Sequence, residues 1–244
     1  MVTLKETVKR LTPEPVRHVV RQRVLNPFGI GATLVPEAEL QEVFERALTL
    51  LLAAPQTSAL GDYVEFGVCH GTSMACMARA ADAVGVGSMR LIGFDSFEGL
   101  PVGVEAEDLG VWNTGEYRSS EKAARRNLAR DGVSADRYVL VKGWFDDTAT
   151  PATAERLGVR RVSVAMIDCD AYSSAATSLA FLAPLLAATS VLVFDDWHTA
   201  DLAERGEGEK RAFEEWLAEH TEFDVVDELA PYNENSHIVV VERR

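Results

Sequence analysis

The stretches VSVAMIDCD at residues 162–170 and VLVFDD at residues 191–196 decide the fold class of this chain. Each begins with a short apolar run rich in β-branched residues, which is typical of a strand buried on both faces of a parallel sheet. Each then delivers carboxylates, because Asp168 follows the first run and Asp195 and Asp196 follow the second. Ligands of open α/β sheets bind at the carboxyl ends of the strands, so the pattern predicts carboxylates at a binding edge.

These three aspartates form a candidate metal site. Close carboxylates repel one another unless a cation or a proton lies among them, and Mg²⁺ suits all-oxygen ligands. The alternative interpretation is that each aspartate caps the helix that follows its strand, which is common for a single aspartate. A set of three on two strands that we expect to be neighbours favours the metal site, with Asp168, Asp195 and Asp196 as ligands.

Composition narrows the class of protein. The 244 residues suffice for one large α/β domain, and the hydrophobic fraction of 47% is ordinary for a globular protein. The formal net charge of −14 argues against nucleic acid as the ligand, because phosphate binding requires a basic face. No apolar stretch predicts a membrane helix. The three cysteines show no CxxC spacing and the N-terminus has no signal-peptide core, which predicts a cytoplasmic protein with reduced thiols.

Strand and helix patterns alternate along the chain, which predicts an α/β fold with a doubly wound, mainly parallel sheet. We divide the chain into an N-terminal basic arm at residues 1–35 and a single domain at residues 36–244. Within the domain we predict a helix over residues 173–188 and a polar loop over residues 197–208. Two alternating runs near the C-terminus, at residues 223–229 and 237–242, predict an antiparallel hairpin that ends the sheet.

Residues 101–118 contain turn residues and aromatics without clear periodicity, so we predict a long loop that acts as a lid. Its side chains Trp112, Tyr117 and Arg118 are candidates for covering a substrate and excluding water. The alternative is that these three side chains only pack on the surface.

The turn after the first predicted strand indicates a nucleoside cofactor. Gly67 and Gly71 permit close approach of a ligand to the backbone, and Asp95 ends the next strand, where a carboxylate can accept both ribose hydroxyls. The turn has Cys69 in place of the middle glycine of a dinucleotide motif, and Glu65 would repel a phosphate. Cationic, phosphate-free S-adenosylmethionine therefore fits better than NAD. The alternatives are glycines that serve only the turn and a solvated carboxylate at Glu65.

Five motifs together resemble the macrocin O-methyltransferase family: YVEFGV at residues 63–68, FDSFEGLP at 94–101, KGWFDDT at 142–148, IDCDAYSS at 167–174 and FDDW at 194–197. The resemblance covers roughly Pro36 to the C-terminus. It implies a seven-stranded class I methyltransferase fold and an enzyme that uses S-adenosylmethionine and Mg²⁺. Such enzymes methylate sugar or phenol-like hydroxyls of bacterial natural products. It also implies a homo-oligomer.

The resemblance implies roles for individual residues. Asp168 is expected to bind the metal ion, to contact the cofactor and to act as general base, and Asp195 and Asp196 complete the metal site. The residues expected to hold the cofactor are Glu65, Gly67, Gly71, Thr72, Asp95, Ser96, Gly143 and Trp144. Asp170 has no comparable role and is interpreted as a helix cap or as support for its neighbours. The chain departs from the family pattern at Ala171, where leucine is usual, and in the arm, which matches nothing.

Other functions compete with this one. His198 is an alternative general base, although a lone histidine in a loop is usually solvated. A Mg²⁺-dependent catechol or phenol O-methyltransferase would use the same residues on a different acceptor. A nicotinamide oxidoreductase would explain Asp95 but not the three aspartates, a Mg²⁺-dependent hydrolase would explain the aspartates but not Asp95, and a non-catalytic nucleotide-binding module would need no metal ligands.

Overall fold

A computed structural model of the protein describes residues 35–54 and 59–244. The predicted basic arm, apart from Val35, lies outside the described residues. Among the described helices, none is both long enough and apolar enough to span a bilayer.

The described residues form a seven-stranded sheet with the strand order β3-β2-β1-β4-β5-β7-β6. Strands β1 to β5 run parallel, whereas β7 is antiparallel to β5 and β6 is antiparallel to β7. The predicted mainly parallel sheet with an antiparallel C-terminal hairpin is confirmed. The strands are β1 (Asp62–Phe66), β2 (Leu91–Asp95), β3 (Tyr138–Lys142), β4 (Val162–Ile167), β5 (Leu186–Phe194), β6 (Phe223–Glu228) and β7 (His237–Arg243).

Helices cover both faces of the sheet. One apolar cluster packs α1, α2 and α3 on the first face, and a second packs α5, α6 and α8 on the other. Short 3-10 turns occur at Val104–Ala106, Asp108–Gly110 and Thr199–Asp201. The helices are α1 (Glu37–Ala53), α2 (Thr72–Ala83), α3 (Glu121–Arg130), α4 (Phe145–Thr148), α5 (Pro151–Leu157), α6 (Tyr172–Leu182), α7 (Leu202–Arg205) and α8 (Gly208–Glu219).

Strand β4 shows why the sheet lies at the centre of the described domain. All six of its residues are buried, and it pairs with β1 on one side and β5 on the other. Alternate side chains enter opposite clusters, because Val164 and Met166 pack with α2 while Ala165 and Ile167 pack with α6. The prediction of a strand buried on both faces is therefore confirmed to the residue.

The strand order reverses between β1 and β4, which makes this the topological switch point of the sheet. Gly67 follows β1 and Asp168 follows β4, so both lie at this point. Gly67 has a φ of +98°, and a Cβ atom there would lie 1.6 Å from the carbonyl oxygen of Asp168. Only glycine lets the two strand ends approach this closely.

Two predicted boundaries are wrong. The helix predicted to reach residue 188 ends at Leu182, because Pro184 cannot continue it, and Leu186 already pairs with Val162 in the sheet. The segment predicted as a polar loop at residues 197–208 contains a 3-10 turn and α7, whose Leu202 is fully buried. Leu202 is one apolar residue among mostly polar neighbours, so the sequence has no periodic pattern that would predict a buried helix here.

Candidate active site

Asp168, Asp195 and Asp196 come together at the carboxyl edge of the sheet. Strands β4 and β5 pair in parallel with Ile167 opposite Phe194, so the residues that follow them are neighbours. One carboxylate oxygen from each aspartate lies within 4.8 Å of the others, and each residue is partly open to solvent. The predicted convergence of the three carboxylates is thus confirmed by geometry, and the chemistry of the donor set suits a hard divalent cation.

Burial and mutual repulsion govern the charge state of this group. Burial raises the pKa of Asp168 well above its usual value, and the negative charges of Asp195 and Asp196 raise it further. Burial and the charge of Asp195 raise the pKa of Asp196 to about 8. Asp170 adds to this group, since burial and the negative charges of Asp196 and Asp195 raise its pKa well above the usual value. Protons therefore relieve the repulsion that a cation would otherwise neutralise.

Asp195 is held by the segment between β6 and β7. The Tyr232 hydroxyl donates a short hydrogen bond to Asp195 Oδ1, and the Asn233 side-chain amide donates to the same oxygen at 3.4 Å. Tyr232 is buried, and its pKa is raised well above the usual value by burial and by the charge of Asp195. Sequence reasoning missed both residues, because they lie 37 and 38 positions from Asp195 and belong to no recognisable motif.

Asp196 is held by two further residues. Its backbone N–H donates to Glu209 Oε2 at 3.0 Å, and Thr199 Oγ1 donates to its Oδ1 at 3.0 Å. Glu209 is completely buried, and burial followed by the charge of Asp196 raises its pKa well above the usual value. Sequence reasoning missed Glu209 as well, since one glutamate at the start of an amphipathic helix looks like an ordinary acidic first turn.

Asp170 is not the cap of the helix that follows it. The N-cap position of α6 belongs to Ala171, whose side chain offers no hydrogen bond, and the Tyr172 N–H donates instead to Asp108 Oδ2 at 2.8 Å. Asp170 is buried with a φ of +65°, and its side chain faces Asp196. The cap interpretation is therefore wrong, whereas the contact with Asp196 agrees with the interpretation of Asp170 as support for its neighbours.

His198, the alternative general base, faces another partner. Its Nδ1 lies 3.0 Å from Glu204 Oε1, and its side chain is 38% exposed. Trp197 is buried, and its ring packs against Phe194, Phe213 and His237. Trp197 is therefore part of the apolar core on this face of the sheet.

Glu65 lies beneath the candidate cofactor turn rather than in solvent. Its side chain is 0% exposed, and its two carboxylate oxygens accept hydrogen bonds from Ser73 Oγ at 2.7 Å and from the Tyr63 hydroxyl at 2.5 Å. Burial raises its pKa to about 7. The alternative of a solvated carboxylate is wrong. Glu65 fixes β1 to the first turn of α2, which carries Thr72, a partly exposed predicted cofactor residue.

Asp95 joins the turns that follow three strands. Its Oδ2 accepts from the Cys69 N–H at 2.6 Å and its Oδ1 from the Phe97 N–H at 2.5 Å, while its carbonyl oxygen accepts from the Gly143 N–H at 3.0 Å. Burial raises the pKa of Asp95, and the hydrogen bonds to its carboxylate oppose that rise. The turn between β1 and α2, with Gly71 in the left-handed region at φ +76°, is thereby tied to Asp95.

The remaining predicted cofactor residues flank this network. Ser96 is buried, donating to the Gly99 carbonyl at 3.1 Å and accepting from the Glu98 N–H at 3.0 Å, so it stabilises the turn after β2. Trp144 follows β3 and is 37% exposed, which leaves its indole face accessible at the same edge of the sheet.

The predicted lid is anchored in the domain. Trp112 is 2% exposed and packs with Leu100 and Val104 against Ala171 and Leu202, so its indole is not on the surface. Tyr117 has a φ of +59°, and its carbonyl oxygen accepts from Cys69 Sγ at 3.5 Å. Burial followed by the charges of Asp170 and Asp196 raises the pKa of the Tyr117 hydroxyl. Tyr117 thus lies between the cofactor turn and the aspartates, whereas Arg118 is exposed.

This chain matches a known protein family and known structures. Residues 6–228 match the family described as Macrocin-O-methyltransferase (TylF). The match includes most of the N-terminal arm, so our expectation that the arm resembles nothing in the family is wrong. Two solved structures share the fold. The O-methyltransferase NovP is 22% identical, and the match covers 84% of this chain and 79% of NovP with a TM-score of 0.63. The calicheamicin methyltransferase CalS11 is 20% identical, and the match covers 97% of this chain and 93% of CalS11 with a TM-score of 0.65.

Three curated relatives are more similar in sequence. The 8-demethyl-8-(2,3-dimethoxy-alpha-L-rhamnosyl)-tetracenomycin-C 4'-O-methyltransferase of Streptomyces olivaceus is 32% identical over 56% of this chain and 53% of its own length. The demethyldecarbamoylnovobiocin O-methyltransferase of Streptomyces niveus is 29% identical over 69% of this chain and 62% of its own length. The mycinamicin III 3''-O-methyltransferase of Micromonospora griseorubida is 29% identical over 56% of this chain and 55% of its own length. The matched regions thus span between half and two thirds of these relatives. Because the family model matches residues 6–228, this chain belongs to the macrocin-O-methyltransferase (TylF) family.

Proposed function

We propose that this protein transfers a methyl group from S-adenosylmethionine to a hydroxyl oxygen of a bacterial natural product. The observation that carries the proposal is the close approach of the cofactor turn at Gly67 to Asp168 at the switch point. A methyl donor held by the first turn and an acceptor held at the aspartates would be neighbours. Positioning the two reactants in this way supplies much of the rate of such a displacement.

The acceptor we propose is a glycosylated compound, methylated on its sugar. The names of two relatives specify the oxygen that is methylated, the 4' oxygen of a tetracenomycin that carries a rhamnosyl group and the 3'' oxygen of mycinamicin III. A phenolic or catechol acceptor is the alternative, because the same carboxylates could serve either hydroxyl. We predict that the acceptor is a small molecule. We also predict that the enzyme is a homo-oligomer.

Asp168, Asp195 and Asp196 would hold Mg²⁺. The donor set fits this ion, since three carboxylate oxygens lie within 4.8 Å of one another. Burial raises the pKa of all three aspartates, and the charges of neighbouring aspartates raise those of Asp168 and Asp196 further. When bound, the ion would lower the pKa of the acceptor hydroxyl and orient its oxygen. The chain contributes the geometry of the ligands, which Tyr232 and Glu209 fix from outside the group.

The proton of the acceptor hydroxyl would pass to an aspartate. We propose Asp168 for this role, as its motif implies. A specific observation favours Asp170 as the second candidate, because it is buried beside Asp196 yet is not one of the three grouped carboxylates. Burial, followed by the charges of Asp196 and Asp195, raises its pKa well above the usual value, so a proton transferred to its carboxylate would be held there.

The cofactor would lie across the carboxyl ends of β1, β2 and β3. Asp95 would accept the ribose hydroxyls with the lone pairs that Cys69 and Phe97 leave free. Ser96, Gly143 and Trp144 would surround the adenine or ribose, with the exposed indole as a stacking surface. The Gly67 and Gly71 amides donate to the carbonyl oxygens of Phe94 and Val68, so these glycines would serve by letting the cofactor approach the backbone. Thr72, the first residue of α2, would offer its backbone amide, while Glu65 would act from below through Ser73.

The test is methyl transfer from isotopically labelled S-adenosylmethionine to a panel of glycosylated and phenolic natural products, with Mg²⁺ or with EDTA. We expect label in a glycosylated acceptor, and loss of transfer in EDTA that added Mg²⁺ restores. Label only in phenols would replace the sugar acceptor by the alternative. No transfer to any acceptor, together with no binding of the cofactor, would refute the proposed function.

A further inference from the structure

Asp108, in the loop at residues 101–118, makes an unusual pair of contacts. Its side chain is almost completely buried, with the residue 4% exposed. Its Oδ2 accepts from the Tyr172 N–H at 2.8 Å, and its Oδ1 accepts from the Gly208 N–H at 3.0 Å. Tyr172 is the first residue of α6 and Gly208 is the first residue of α8. One carboxylate therefore joins the starts of two helices that lie far apart in sequence.

Both helices are connected to the candidate metal ligands. Helix α6 begins directly after the segment that carries Asp168 and Asp170. Helix α8 carries Glu209 as its second residue, and Glu209 accepts the hydrogen bond from the backbone of Asp196. A shift of either helix start would move one part of the carboxylate group relative to the other.

We propose that Asp108 is a positioning residue for the metal ligands, an inference that rests on the proposed function. Its carboxylate sets the separation between the segment that presents Asp168 and the helix that holds Asp196.

The helices themselves lack the group that Asp108 supplies. The first amides of a helix have no partner within the helix and favour a negative charge nearby. The N-cap residues, Ala171 for α6 and Glu207 for α8, make no side-chain hydrogen bond to the first backbone amides of their own helices. The Asp108 carboxylate thus performs for both helices the role that a capping side chain normally performs for one.

The loop is built to present this carboxylate. Asp108 and Leu109 have φ values of +45° and +59°, which are unfavourable for residues with a side chain. A backbone held in this region indicates that the surrounding contacts determine its conformation. The loop makes such contacts, because Trp112 and Val104 belong to one apolar cluster with Ala171 and Leu202. Ala171 directly precedes α6, and Leu202 lies in α7, which precedes α8.

The neighbouring residue Glu107 adds a second contact to α6 alone. Its Oε2 accepts from the Ser173 N–H at 2.9 Å and its Oε1 accepts from Ser173 Oγ at 2.9 Å. Glu107 thus offers a milder variant, because its loss weakens the start of α6 without touching α8.

The test compares the binding of Mn²⁺ and of S-adenosylhomocysteine, measured by electron paramagnetic resonance and calorimetry without turnover. Asp108→Asn keeps one acceptor oxygen and places an amide N–H₂ against the other helix N–H. We expect the Kd for Mn²⁺ to rise about tenfold, the range seen when groups that orient metal ligands are removed. We expect the Kd for S-adenosylhomocysteine to stay within about twofold, because Asp108 contacts no predicted cofactor residue.

The matched control is Thr150→Ala, which removes the capping side chain of α5, a helix that carries none of the predicted metal or cofactor residues. It should change neither affinity. Unchanged Mn²⁺ binding in a folded Asp108→Asn variant would overturn the inference, and so would an equal loss of both affinities, which would indicate a general structural role. If Asp108→Asn does not fold, Glu107→Gln decides, with a few-fold weaker Mn²⁺ binding expected and no change contradicting the inference.

The wild-type protein separates this inference from the function on which it rests. Wild-type protein that binds S-adenosylhomocysteine but no Mn²⁺ would refute the metal site itself, and with it the role of Asp108. Wild-type protein that binds both ligands, beside an Asp108→Asn variant that does the same, would refute only the role of Asp108.

Discussion

Gly67 contacts the backbone of Asp168, so the residue that opens the candidate cofactor turn touches the residue that begins the candidate metal site. A Cβ atom on Gly67 would lie 1.6 Å from the Asp168 carbonyl oxygen, a distance that no rotamer change can relieve. The two halves of the proposed active site therefore share one point of backbone contact at the switch point of the sheet.

Gly67→Ala should be strongly destabilising. The overlap with Asp168 and the φ of +98° together should lower the free energy of unfolding by about 3–5 kcal/mol. Chemical denaturation measures this change. Gly158→Ala is the matched control, because Gly158 also has a positive φ, +65°, but has nothing within 4 Å of an added Cβ. A Gly67→Ala protein no less stable than Gly158→Ala would contradict the close approach of the strand ends.

Asp168→Asn should abolish turnover and leave the cofactor site intact. A general base contributes roughly 10²- to 10⁴-fold, and loss of a metal ligand adds to this, so kcat should fall by at least about 10³-fold. The Kd for S-adenosylhomocysteine should change by less than about threefold, because we propose that Asp95, and not Asp168, binds the ribose. Full activity in this variant would refute the role of Asp168.

Asp170→Asn separates the two candidate bases. If Asp170 accepts the proton, its variant should lose kcat while its Kd for Mn²⁺ stays close to that of the wild type, since Asp170 is not among the three grouped carboxylates. Asp168→Asn should instead lose both kcat and Mn²⁺ affinity. Normal kcat in Asp170→Asn would leave Asp168 as the base.

The stability gained from Mg²⁺ should increase with pH. The pKa values of Asp168, Asp195 and Asp196 are raised by burial, that of Asp196 to about 8. Between pH ~4 and about 8 the folded protein therefore holds protons on these carboxyl groups that the unfolded chain releases. The stability that these protons supply is complete below pH ~4 and is lost as the pH rises towards about 8. Mg²⁺ replaces those protons, so it should raise Tm by about 5–10 °C at pH 8 when present at ~100 times its Kd.

The corresponding gain in Tm at pH 5.5 should be much smaller, because protons then compete with the ion. Asp168→Asn measured under the same conditions is the control, and its gain should be reduced at both pH values. A gain in Tm that is independent of pH in the wild-type protein would contradict a metal site built from these carboxylates.

Much of the fold could be predicted because the sequence pattern and the tertiary contacts agree. Strand β4 is apolar on both faces and is buried on both faces, and Asp168 follows it as expected. The end of α6 is marked in the sequence by Pro184, but the alanines at residues 187 and 188 favour a helix and conceal the start of β5. Pairing of β5 with β4 and β7 overrides that local preference.

The candidate site could be predicted only where a motif carries it. Asp168, Asp195 and Asp196 follow apolar strands, and this order alone places them together. Tyr232 and Glu209 could not be found in this way, because their contacts with Asp195 and Asp196 depend on how a connecting segment and a distant helix pack. Burial of Trp112 was unforeseen for the same reason, since the loop around it lacks any periodic pattern.

The central claim is that the edge of the sheet formed by Gly67, Asp95 and Asp168 binds a phosphate-free nucleoside for methyl transfer. Calorimetric titration of the wild-type protein with S-adenosylhomocysteine and, separately, with NAD tests it most directly. The account predicts saturable one-to-one binding of S-adenosylhomocysteine, weakened by Asp95→Asn, and no binding of NAD at the same concentration. Binding of NAD without binding of S-adenosylhomocysteine would contradict it.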